Sequence, residues 1–527
     1  MKTLDWFVVV VYLLFMLGMG FWHARRSTDL KEYFLAGRVI PWWAALFSLV
    51  ATEISAATFL GAPEQGLTRD MSYLQFSVGT IAARFVLAAF FIGAFYHFKV
   101  YTIYGFLLER FGLATNTTTA AVFLVGRLFA DGSRLFIASI AINVATGISM
   151  GWSIIIFGLT TLAYTLAGGM TAVIWTDVAQ AVVMLVGVTA LVYSLWSQIG
   201  MSAGAVFATL SEANKFQIFD FSLWMNDGRF APLFNPYHAL PAIVGGFFLT
   251  MATHGTDHDM VQRLLTCRES KDGKRSMWVS GFLGLSFTVV FIFIGQLLFL
   301  FVQGLPAGHP MLQTAELLKA EGRNGHFLLY YVLNYLPAGL AGLVIASLLA
   351  SAMSTLSSAL NAMSATFIAD FYQRYWVKDA SSTHYVKMSR WMTAGIGLTL
   401  IGVALQVLRF YEANPKTDLL SIALGVMTFF YGALLGIFLV AFLSRTRGNT
   451  WSNIAGAVAS IGTIIILKSN TELAWPWFIV VGTLVTMAIA LLGKTAVEVR
   501  ERYAQSSADA LAEAQRELLG TGASTQG

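Results

Sequence analysis

Long apolar stretches recur along the whole chain and are separated by short polar connections. Thirteen of them are close to the length of about 20 residues that a helix needs to cross a bilayer. The pattern therefore predicts an all-α polytopic membrane protein with 13 transmembrane helices. The predicted spans are residues 4–22, 42–62, 74–97, 118–147, 152–169, 172–196, 237–261, 277–302, 337–369, 390–409, 418–443, 451–467 and 475–493.

Composition narrows the class of protein further. Of the 527 residues, 57% are hydrophobic and 12% are charged, about half the charged share of a soluble domain. This balance excludes a soluble enzyme and a nucleic-acid-binding protein, and the single Cys267 allows no disulfide within the chain. The sequence has no G-x-x-x-x-G-K-[ST] loop for ATP phosphates, so an ion gradient is the expected energy source. We expect no enzymatic activity and no cofactor.

The charges set the expected orientation of the chain in the membrane. If the amino terminus is outside, the odd-numbered connections and the tail carry about three times as many Lys and Arg as the even-numbered connections. Cytoplasmic loops are enriched in these residues. We therefore predict a plasma-membrane protein, in a bacterium the inner membrane, with its amino terminus outside and its carboxyl terminus in the cytoplasm.

Two predicted spans carry polar stretches that disfavour a continuous helix, at residues 48–58 and 250–257. Non-helical backbone is tolerated inside a bilayer where it lines an enclosed cavity, which indicates a binding site. The second and seventh spans are five apart, an odd number, so repeats that begin there run in opposite directions. The sequence therefore predicts inverted repeats with a site between them. For either stretch alone, a polar patch satisfied by neighbouring helices is the simpler interpretation.

Charged residues inside predicted spans need a protein or ion partner because lipid cannot solvate them. Glu53 lies in the first polar stretch, where it either faces a cavity or cation or is protonated and hydrogen-bonded between helices. Arg127, Asp131 and Arg134 share one face of the fourth span. An arginine there could bind a solute carboxylate, or the three residues could form an internal network.

Several motifs together resemble the sodium/solute symporter family, which includes sodium/glucose, sodium/proline and sodium/sialic acid cotransporters. The resemblance covers about residues 4–493 in one register. It implies the five-plus-five inverted-repeat fold of the leucine transporter, with one extra helix before and two after. The motifs are FLAGR at 34–38, ATEISA at 51–56, GGMTAVIWTDVAQ at 168–180, VQR at 261–263, the Ser/Thr-rich ninth span through 361, and YGALLGIF at 431–438.

The resemblance also implies how the chain is divided. The first segment, 1–41, is an extra helix with a cytoplasmic loop, and the last, 494–527, is a cytoplasmic tail with a short polar helix. The segments between them are the first repeat at 42–196, an extracellular loop at 197–236, the second repeat at 237–443 and two further helices at 444–493.

Sodium is the expected coupling ion, and as a hard cation it prefers oxygen ligands. The ninth span places Ser351, Ser354, Thr355 and Ser358 on one helix face, a pattern that is by itself also typical of close helix packing. The resemblance implies two sites. The first uses the carbonyls of Ala51, Ile54 and Ser351 with the hydroxyls of Ser354 and Thr355, and the second uses Asp177, Ser357 and Ser358.

The second sodium site has an alternative, because Asp177 could instead cap its helix or pair with Arg263. For the solute, we expect pocket residues from the first break and from the neighbouring spans. His254 is a pocket-wall residue rather than a metal ligand in this interpretation, since no second ligand accompanies it at zinc spacing. The expected substrate-binding residues are Glu53, Ser55, Thr58, Tyr73, Gln75, Arg127, Arg134 and Thr253.

The predicted function is secondary active transport by alternating access, in which sodium entry drives uptake of a small polar organic solute. An anionic or zwitterionic solute, such as a sialic acid, monocarboxylate or amino acid, is favoured over a neutral sugar. A sodium-independent uniporter or sensor of the same fold is the other alternative. The expected partners are sodium, the solute and membrane lipid, with no nucleic acid, and we expect a monomer.

Overall fold

The computed structural model describes residues 1–24, 29–166, 168–414 and 417–518 as a bundle of α-helices. Each predicted span falls on a helix or on a pair of consecutive helices. Helices satisfy every backbone hydrogen bond internally, which apolar surroundings require. The amino-terminal helices are α1 (Thr3–Ala24), α2 (Leu30–Leu35), α3 (Trp42–Glu53), α4 (Ala56–Thr68), α5 (Gln75–Val86), α6 (Ile92–His97), α7 (Tyr104–Phe111), α8 (Leu113–Thr146), α9 (Met150–Thr165) and α10 (Met170–Ile199).

The second half of the chain continues the same architecture. A π-helical segment, Leu87–Phe91, joins α5 to α6, and another, Ile368–Trp376, extends α18. The predicted polar tail helix is α23, and the last residues of the tail, 519–527, lie outside the described residues. The remaining helices are α11 (Ala203–Glu212), α12 (Ala231–Phe234), α13 (Ala239–Gly255), α14 (His258–Leu265), α15 (Ser270–Gln303), α16 (Pro310–Ala320), α17 (Phe327–Tyr335), α18 (Leu340–Phe367), α19 (Ser382–Ala413), α20 (Leu419–Leu443), α21 (Thr450–Asn470), α22 (Pro476–Leu492) and α23 (Val497–Leu518).

The all-helical membrane fold is confirmed, whereas the number of crossings is not. Within the described ranges, nine helical segments are long and apolar enough to cross a membrane, and α3 with α4 makes a tenth as a bent pair. Two further apolar helices, α9 and α22, are shorter. Thirteen crossings are reached if α9, α22 and the broken pair α13 and α14 are also counted, so that number stays a prediction.

The helices contact one another in matching pairs. The half-helix α4 packs on α15, and α13 packs on α5. In the same way, α10 packs on α18 and α8 packs on α20. If α3 to α10 and α13 to α20 are two repeats, each of these contacts has its equivalent in the other. The pairing agrees with the predicted inverted repeats, whose exact boundaries stay predictions.

Reciprocal glycines bring the backbones of two of these pairs into direct contact. A Cβ atom added at Gly66 of α4, or at Gly295 of α15, would lie 2.0 Å from a carbonyl oxygen of the facing helix. On α5 and α13, the corresponding distances are 2.0 Å at Gly79 and 2.7 Å at Gly246. Small residues at helix crossings are a common way for membrane helices to pack closely. Both crossings therefore require glycine.

The first break is narrower than the polar stretch that predicted it. The helix continues through Glu53, and α4 begins at Ala56 after a bend of 61°. Ile54 has φ −77° and ψ 76°, outside the helical region. The N–H of Ser55 donates to the Glu53 carbonyl rather than to the Ala51 carbonyl four residues back. The prediction of an interruption over all of 48–58 was too broad, and residues 54–55 carry it.

The second break is also shorter than predicted. Residues 250–255 are helical, and the chain leaves the helix at Thr256 and Asp257. The Thr256 hydroxyl donates to the Ala252 carbonyl at 2.8 Å, so a polar side chain is satisfied inside the helix. The Asp257 carboxylate accepts the N–H of Asp259 at 2.9 Å and so caps the start of α14.

Lys215, in the connection between α11 and α12, contacts the carboxyl-terminal end of α4, which is the end remote from the break. The ammonium of Lys215 donates to the carbonyls of Gly66, Leu67 and Arg69, at 3.2, 2.9 and 2.6 Å respectively. These carbonyls lie at the carboxyl end of the helix, where a positive charge is stabilising. Gln296 of α15 donates to the Lys215 carbonyl at 2.7 Å. The hydrogen bonds of Lys215 therefore link the loop to both α4 and α15.

Candidate functional site

A cluster of buried hydroxyls around one carboxylate joins α3, α10 and α18 beside the first break. The Asp177 carboxylate accepts hydrogen bonds from Ser48 at 2.5 Å and from Ser354 at 2.7 Å. The hydroxyls of Thr52 and Ser354 lie 3.3 Å apart. All four side chains are at most 1% exposed. Their oxygens form the kind of donor set that a hard cation binds.

Thr355 ties α18 directly to the interrupted helix. Its hydroxyl donates to the carbonyl of Thr52 at 2.9 Å and to that of Ser351 at 3.0 Å. Because the Ser55 N–H is turned to Glu53, the Ala51 carbonyl does not receive its usual helical hydrogen bond from that residue. The predicted ligands from α3 and α18 therefore lie on two sides of one small region.

The predicted second sodium set is not assembled in this structure. Asp177 contacts Ser354 instead of Ser357 and Ser358, which lie one turn further along α18. The Ser357 hydroxyl donates to the Ser354 carbonyl at 3.3 Å, and that of Ser358 donates to the Thr355 carbonyl at 2.8 Å. Both are satisfied within their own helix, so Asp177 and Ser354 connect what the sequence had divided into two sites.

Arg263 of α14 reaches into the same cluster. Its guanidinium donates to the hydroxyl of Thr52 at 2.6 Å and to that of Ser48 at 2.9 Å. It also lies 3.6 Å from the Asp177 carboxylate. The alternative interpretation of Asp177, a pairing with Arg263, is therefore observed. A fixed positive charge borders the oxygen cluster without enclosing it.

Arg127 is the centre of a second, charged cluster. Its guanidinium pairs with Asp131 and with Asp257 at 2.7 Å each, and with Asp259. Arg127 is 0% exposed, and the Tyr431 hydroxyl closes the cluster with a 2.6 Å hydrogen bond to Asp257. The expectation that Arg127 contacts solute is thus not met here, because three carboxylates already occupy its guanidinium.

Asp259 links the two clusters into one network. It pairs with Arg127 on one side and with Arg263, at 2.8 Å, on the other. Counted over the described residues, the network holds three arginines against four aspartates, a net charge of −1. A surplus buried negative charge favours the binding of one cation. The members are Arg127, Arg134, Arg263, Asp131, Asp177, Asp257 and Asp259.

Arg134 of this network has a donor that is not engaged, and one of its terminal nitrogens donates only to the sulfur of Met427, at 3.5 Å. It pairs with Asp131 at 2.9 Å, but its buried Nε atom has no hydrogen-bond partner. Its side chain keeps 10% of its area exposed, whereas that of Arg127 keeps none. Asp131 pairs with both arginines of α8, which agrees with the internal-network interpretation. Arg134 nevertheless retains the capacity to bind a carboxylate.

Glu53 forms a third polar cluster on the other side of the break. Arg84 of α5 donates to its carboxylate, and His254 of α13 contacts the same oxygen. Arg84 also contacts Ser280 of α15, while Thr253 lies 2.8 Å from the His254 ring. Glu53 is ion-paired rather than held by neutral hydrogen bonds. Its side chain is 15% exposed, so the carboxylate is not fully enclosed by the cluster.

Sequence reasoning missed Arg84, although a signal was present. It is an arginine in the middle of the predicted third span, and such a residue requires a buried partner. Its partner could not be chosen from the sequence, because Glu53 is 31 positions away and on another helix. Ser280 carried no signal, since a lone serine in a span is ordinary helix packing.

The remaining predicted solute residues have different surroundings. Ser55 is buried at the break, and the Thr58 hydroxyl donates to the Glu53 carbonyl at 3.5 Å. Tyr73 packs on Phe76, with ring centroids 5.3 Å apart. Gln75 does not face a pocket, because its amide is already engaged by three backbone partners. These are the carbonyls of Ser72 and Tyr237, each at 2.8 Å, and the N–H of Asp220, at 3.1 Å.

Comparison with known proteins places this architecture in a family. The sodium:solute symporter family model matches residues 33–460. The sodium/sialic acid symporter NanT of Aliivibrio fischeri is 28% identical over 491 residues, covering 93% of this chain and 92% of the relative. The sodium/glucose cotransporter of Vibrio parahaemolyticus is 26% identical over 482 residues, covering 89% and 86%.

The fold agrees with that assignment. A solved structure of a Na⁺-coupled sialic acid symporter in a substrate-bound, outward-open state superimposes with a TM-score of 0.80. It is 23% identical and covers 93% of this chain and 97% of the other. Because the family model spans well over half of the chain, this integral membrane protein is a member of the sodium:solute symporter family.

Proposed function

We propose that this protein couples the inward flow of sodium to the uptake of a small anionic or zwitterionic organic solute, and that a sialic acid is the leading substrate class. One observation carries the proposal. The break at 54–55 lies against the hydroxyl face of α18, with the Asp177 carboxylate beside it. A cation bound there bridges two elements that must move relative to one another during transport.

Sodium is assigned to the region between the Ala51 and Ile54 carbonyls and the α18 residues Ser351, Ser354 and Thr355. The net charge of −1 on the surrounding network and the buried oxygens favour a monovalent cation. Asp177 contributes through Ser354 in the present conformation. A shift of α18 along its axis by about one turn would bring Ser357 and Ser358 to Asp177 and complete a second site, so two sodium ions per cycle are part of the proposal.

We assign the solute to the region between Arg134 and the Glu53 cluster. Arg134 keeps its Nε donor for a carboxylate, and a planar guanidinium suits that group. Glu53, Arg84 and His254 supply acceptors and donors for hydroxyl or ammonium groups. Ser55 and Thr58 line the break between the two. The relatives named for sialic acid favour a solute that carries both a carboxylate and hydroxyls.

Alternating access follows from these assignments. Sodium entering from outside stabilises the break against α18, solute then binds, and closure of the outer half precedes opening of the inner half. Sodium and solute must raise each other's affinity by the same factor. At 100 mV the membrane potential supplies about 2.3 kcal/mol per sodium, and a tenfold concentration ratio adds about 1.4 kcal/mol. One sodium therefore supports an accumulation of several hundredfold for a neutral solute.

Uptake into proteoliposomes tests the proposal directly. Purified protein is reconstituted, and labelled N-acetylneuraminic acid is supplied with an inward gradient of sodium or of potassium. We expect concentrative uptake with the sodium gradient and none with the potassium gradient. Equal uptake with both cations indicates a uniporter, and uptake of glucose but not of N-acetylneuraminic acid indicates a neutral-sugar transporter. The sugar alternative is kept because the glucose cotransporter covers 89% of the chain.

The remaining assignments complete the proposal. We place the amino terminus outside and the tail helix α23 in the cytoplasm, on the evidence of the basic residues in the connections. The repeats are assigned to 42–196 and 237–443, supported by the matching helix contacts. The protein is proposed to act as a monomer in a bacterial inner membrane. Thiol labelling of single cysteines at the two termini tests the orientation.

A further inference from the structure

A cavity of about 400 Å³ lies apart from the sodium and solute residues, near the outer ends of α8 and α19. In the proposed orientation it faces the extracellular side. Its walls come from α8, α9, α19 and the segment that contains α16 and α17. Its size is typical of a small-molecule site. The Glu53 cluster and the cluster around Asp177 contribute no residue to it.

His326 offers an unpaired polar atom to a ligand in the cavity. Its side chain is 8% exposed and lines the cavity, yet its Nε2 atom has no hydrogen-bond partner. A buried polar atom without a partner is destabilising, and a hydrogen bond to a ligand's hydroxyl removes that cost. Burial, and then the nearby Arg323, lower the pKa of His326 to about 4. The ring is therefore neutral at physiological pH and can donate or accept a hydrogen bond.

Planar polar groups surround His326 at the mouth of the cavity. Arg323 pairs with Glu321 at 3.3 Å, and both side chains remain about half exposed. Glu412 adds a second carboxylate, and Asn143 donates to the Ile148 carbonyl at 2.7 Å, which leaves its amide oxygen for a guest. Carboxylates, a guanidinium and an amide together match ligand hydroxyls, which both donate and accept.

An aromatic wall completes the lining. The rings of Phe136 and Tyr411 pack with centroids 5.1 Å apart, and Tyr411 is 5% exposed. Tyr330 lines the same space. An apolar ring face beside fixed polar groups is the arrangement that holds a molecule with one carbon face and several hydroxyls.

We propose that this cavity is a second, extracellular binding site for a polyhydroxylated ring, that is, a sugar or a sugar acid. His326 hydrogen-bonds a hydroxyl, Glu321 and Glu412 accept from others, and the ring lies against Tyr411. A sugar acid additionally places its carboxylate on Arg323. The site binds without sodium, because it is built from residues outside the sodium cluster. It therefore goes beyond the proposed transport function and does not require it.

Protection of an introduced cysteine tests the site locally. Val144 lines the cavity, and the native Cys267 is 0% exposed, so a Val144→Cys variant of the full chain offers one accessible thiol. Labelling by an impermeant maleimide is followed in potassium buffer, with glucose, glucuronate or N-acetylneuraminic acid added. We expect saturable protection, about fivefold at a concentration four times the Kd.

Second substitutions separate binding from other causes. Adding His326→Ala or Arg323→Gln to the Val144→Cys protein removes or weakens the protection, while the matched exposed control Arg409→Gln leaves it intact. Protection by glucose and by the acids alike assigns the site to the ring hydroxyls, and protection by the acids alone assigns it to Arg323. Protection by none of the probes, or protection that appears with sodium only, overturns the proposal. Failure of sodium-driven uptake in unmodified protein overturns the transport proposal without affecting this one.

Discussion

The two helix breaks lie in the same fold and are both buried, but their surroundings differ. The first break, at 54–55, faces hydroxyls and carbonyls from α3 and α18, with Asp177 as the nearest carboxylate. The second, at 256–257, opens directly into the ion pairs of Arg127. Neutral oxygens can accept a cation and give it up again. Carboxylates that are already paired with buried arginines do not offer a site that a cation can enter and leave.

This difference separates the region that is proposed to bind the cation from the region that fixes the helices to one another. The first break is free to change its ligands during a cycle, and the second keeps α14 fixed to α8. Arg263 crosses between them, since it pairs with Asp259 and also touches Thr52. Asp177 is the carboxylate of this network that lies beside the first break. Five substitutions test this comparison.

Removing the central charge of the second break has the largest expected effect. Arg127→Met leaves Asp257 without its arginine and takes one of two arginine partners from Asp131 and from Asp259. Breaking a buried ion pair from one side costs about 3–5 kcal/mol of folding free energy. We expect little folded protein by fluorescence-detected size exclusion and a strongly lowered melting temperature. The exposed Arg409→Met is the matched control. A folded Arg127→Met protein with the melting temperature of the parent refutes the fixed role of the second break.

Arg134 lies at the accessible end of the same network and tests whether that end binds solute. Arg134→Gln removes a charged hydrogen bond worth about 1.5–3 kcal/mol. Uptake of a carboxylated solute should fall by one to two orders of magnitude, while an uncharged analogue is little affected. The comparison of the two analogues within one variant is the control. Equal losses on both assign Arg134 to the scaffold.

Asp177 is where the first break carries its charge. Asp177→Asn keeps the hydrogen bonds to Ser48 and Ser354 possible but removes the negative charge. We expect the sodium concentration for half-maximal uptake to rise about tenfold, or about 1.4 kcal/mol, and the sodium dependence to become less steep. Asp379→Asn, at an exposed position, serves as the control. An unchanged midpoint and steepness remove Asp177 from sodium binding.

Thr355 tests the neutral ligands. Thr355→Ala deletes the hydroxyl that contacts the Thr52 carbonyl, a loss of about 0.5–1.5 kcal/mol, and should raise the half-maximal sodium concentration severalfold. Thr355→Ser keeps the hydroxyl and should restore the parent value. Melting temperatures of both variants show whether the fold is intact. If Ala and Ser behave alike in their sodium dependence, the hydroxyl is not a ligand.

The smallest effect is expected at Lys215, which binds the carboxyl-terminal end of α4. Burial lowers the pKa of Lys215 to about 8, well below its usual value. Since the unfolded chain binds this proton more tightly, the burial cost is present below pH 8 and is relieved as the pH rises toward the unfolded pKa. The parent should therefore gain melting temperature relative to Lys215→Met between pH 7.5 and pH 10. A constant difference between the two proteins contradicts the assignment.

Much of the fold can be predicted from the sequence because a membrane-spanning helix requires an apolar run of defined length. Both breaks can be predicted because polar stretches interrupt such runs. The hydroxyl face of α18 is readable for the same reason, since its spacing fixes which residues share a side. The rotation of that face against α10 is not readable, and a shift of one turn decides whether Asp177 meets Ser354 or Ser357. The Gln75 side chain likewise accepts a hydrogen bond from the backbone N–H of Asp220, a loop residue whose proximity no local sequence pattern predicts.

The glycine crossings have a consequence for how force passes through the molecule. Where the backbones of α4 and α15 are in direct contact, no side chains lie between them that could change conformation. We therefore expect the two helices to move as one rigid unit. If an ion bound beside the break changes the angle between α3 and α4, α15 is expected to move together with α4. Random mutagenesis should find these glycines among the least replaceable positions in the chain, even though they touch neither ion nor solute.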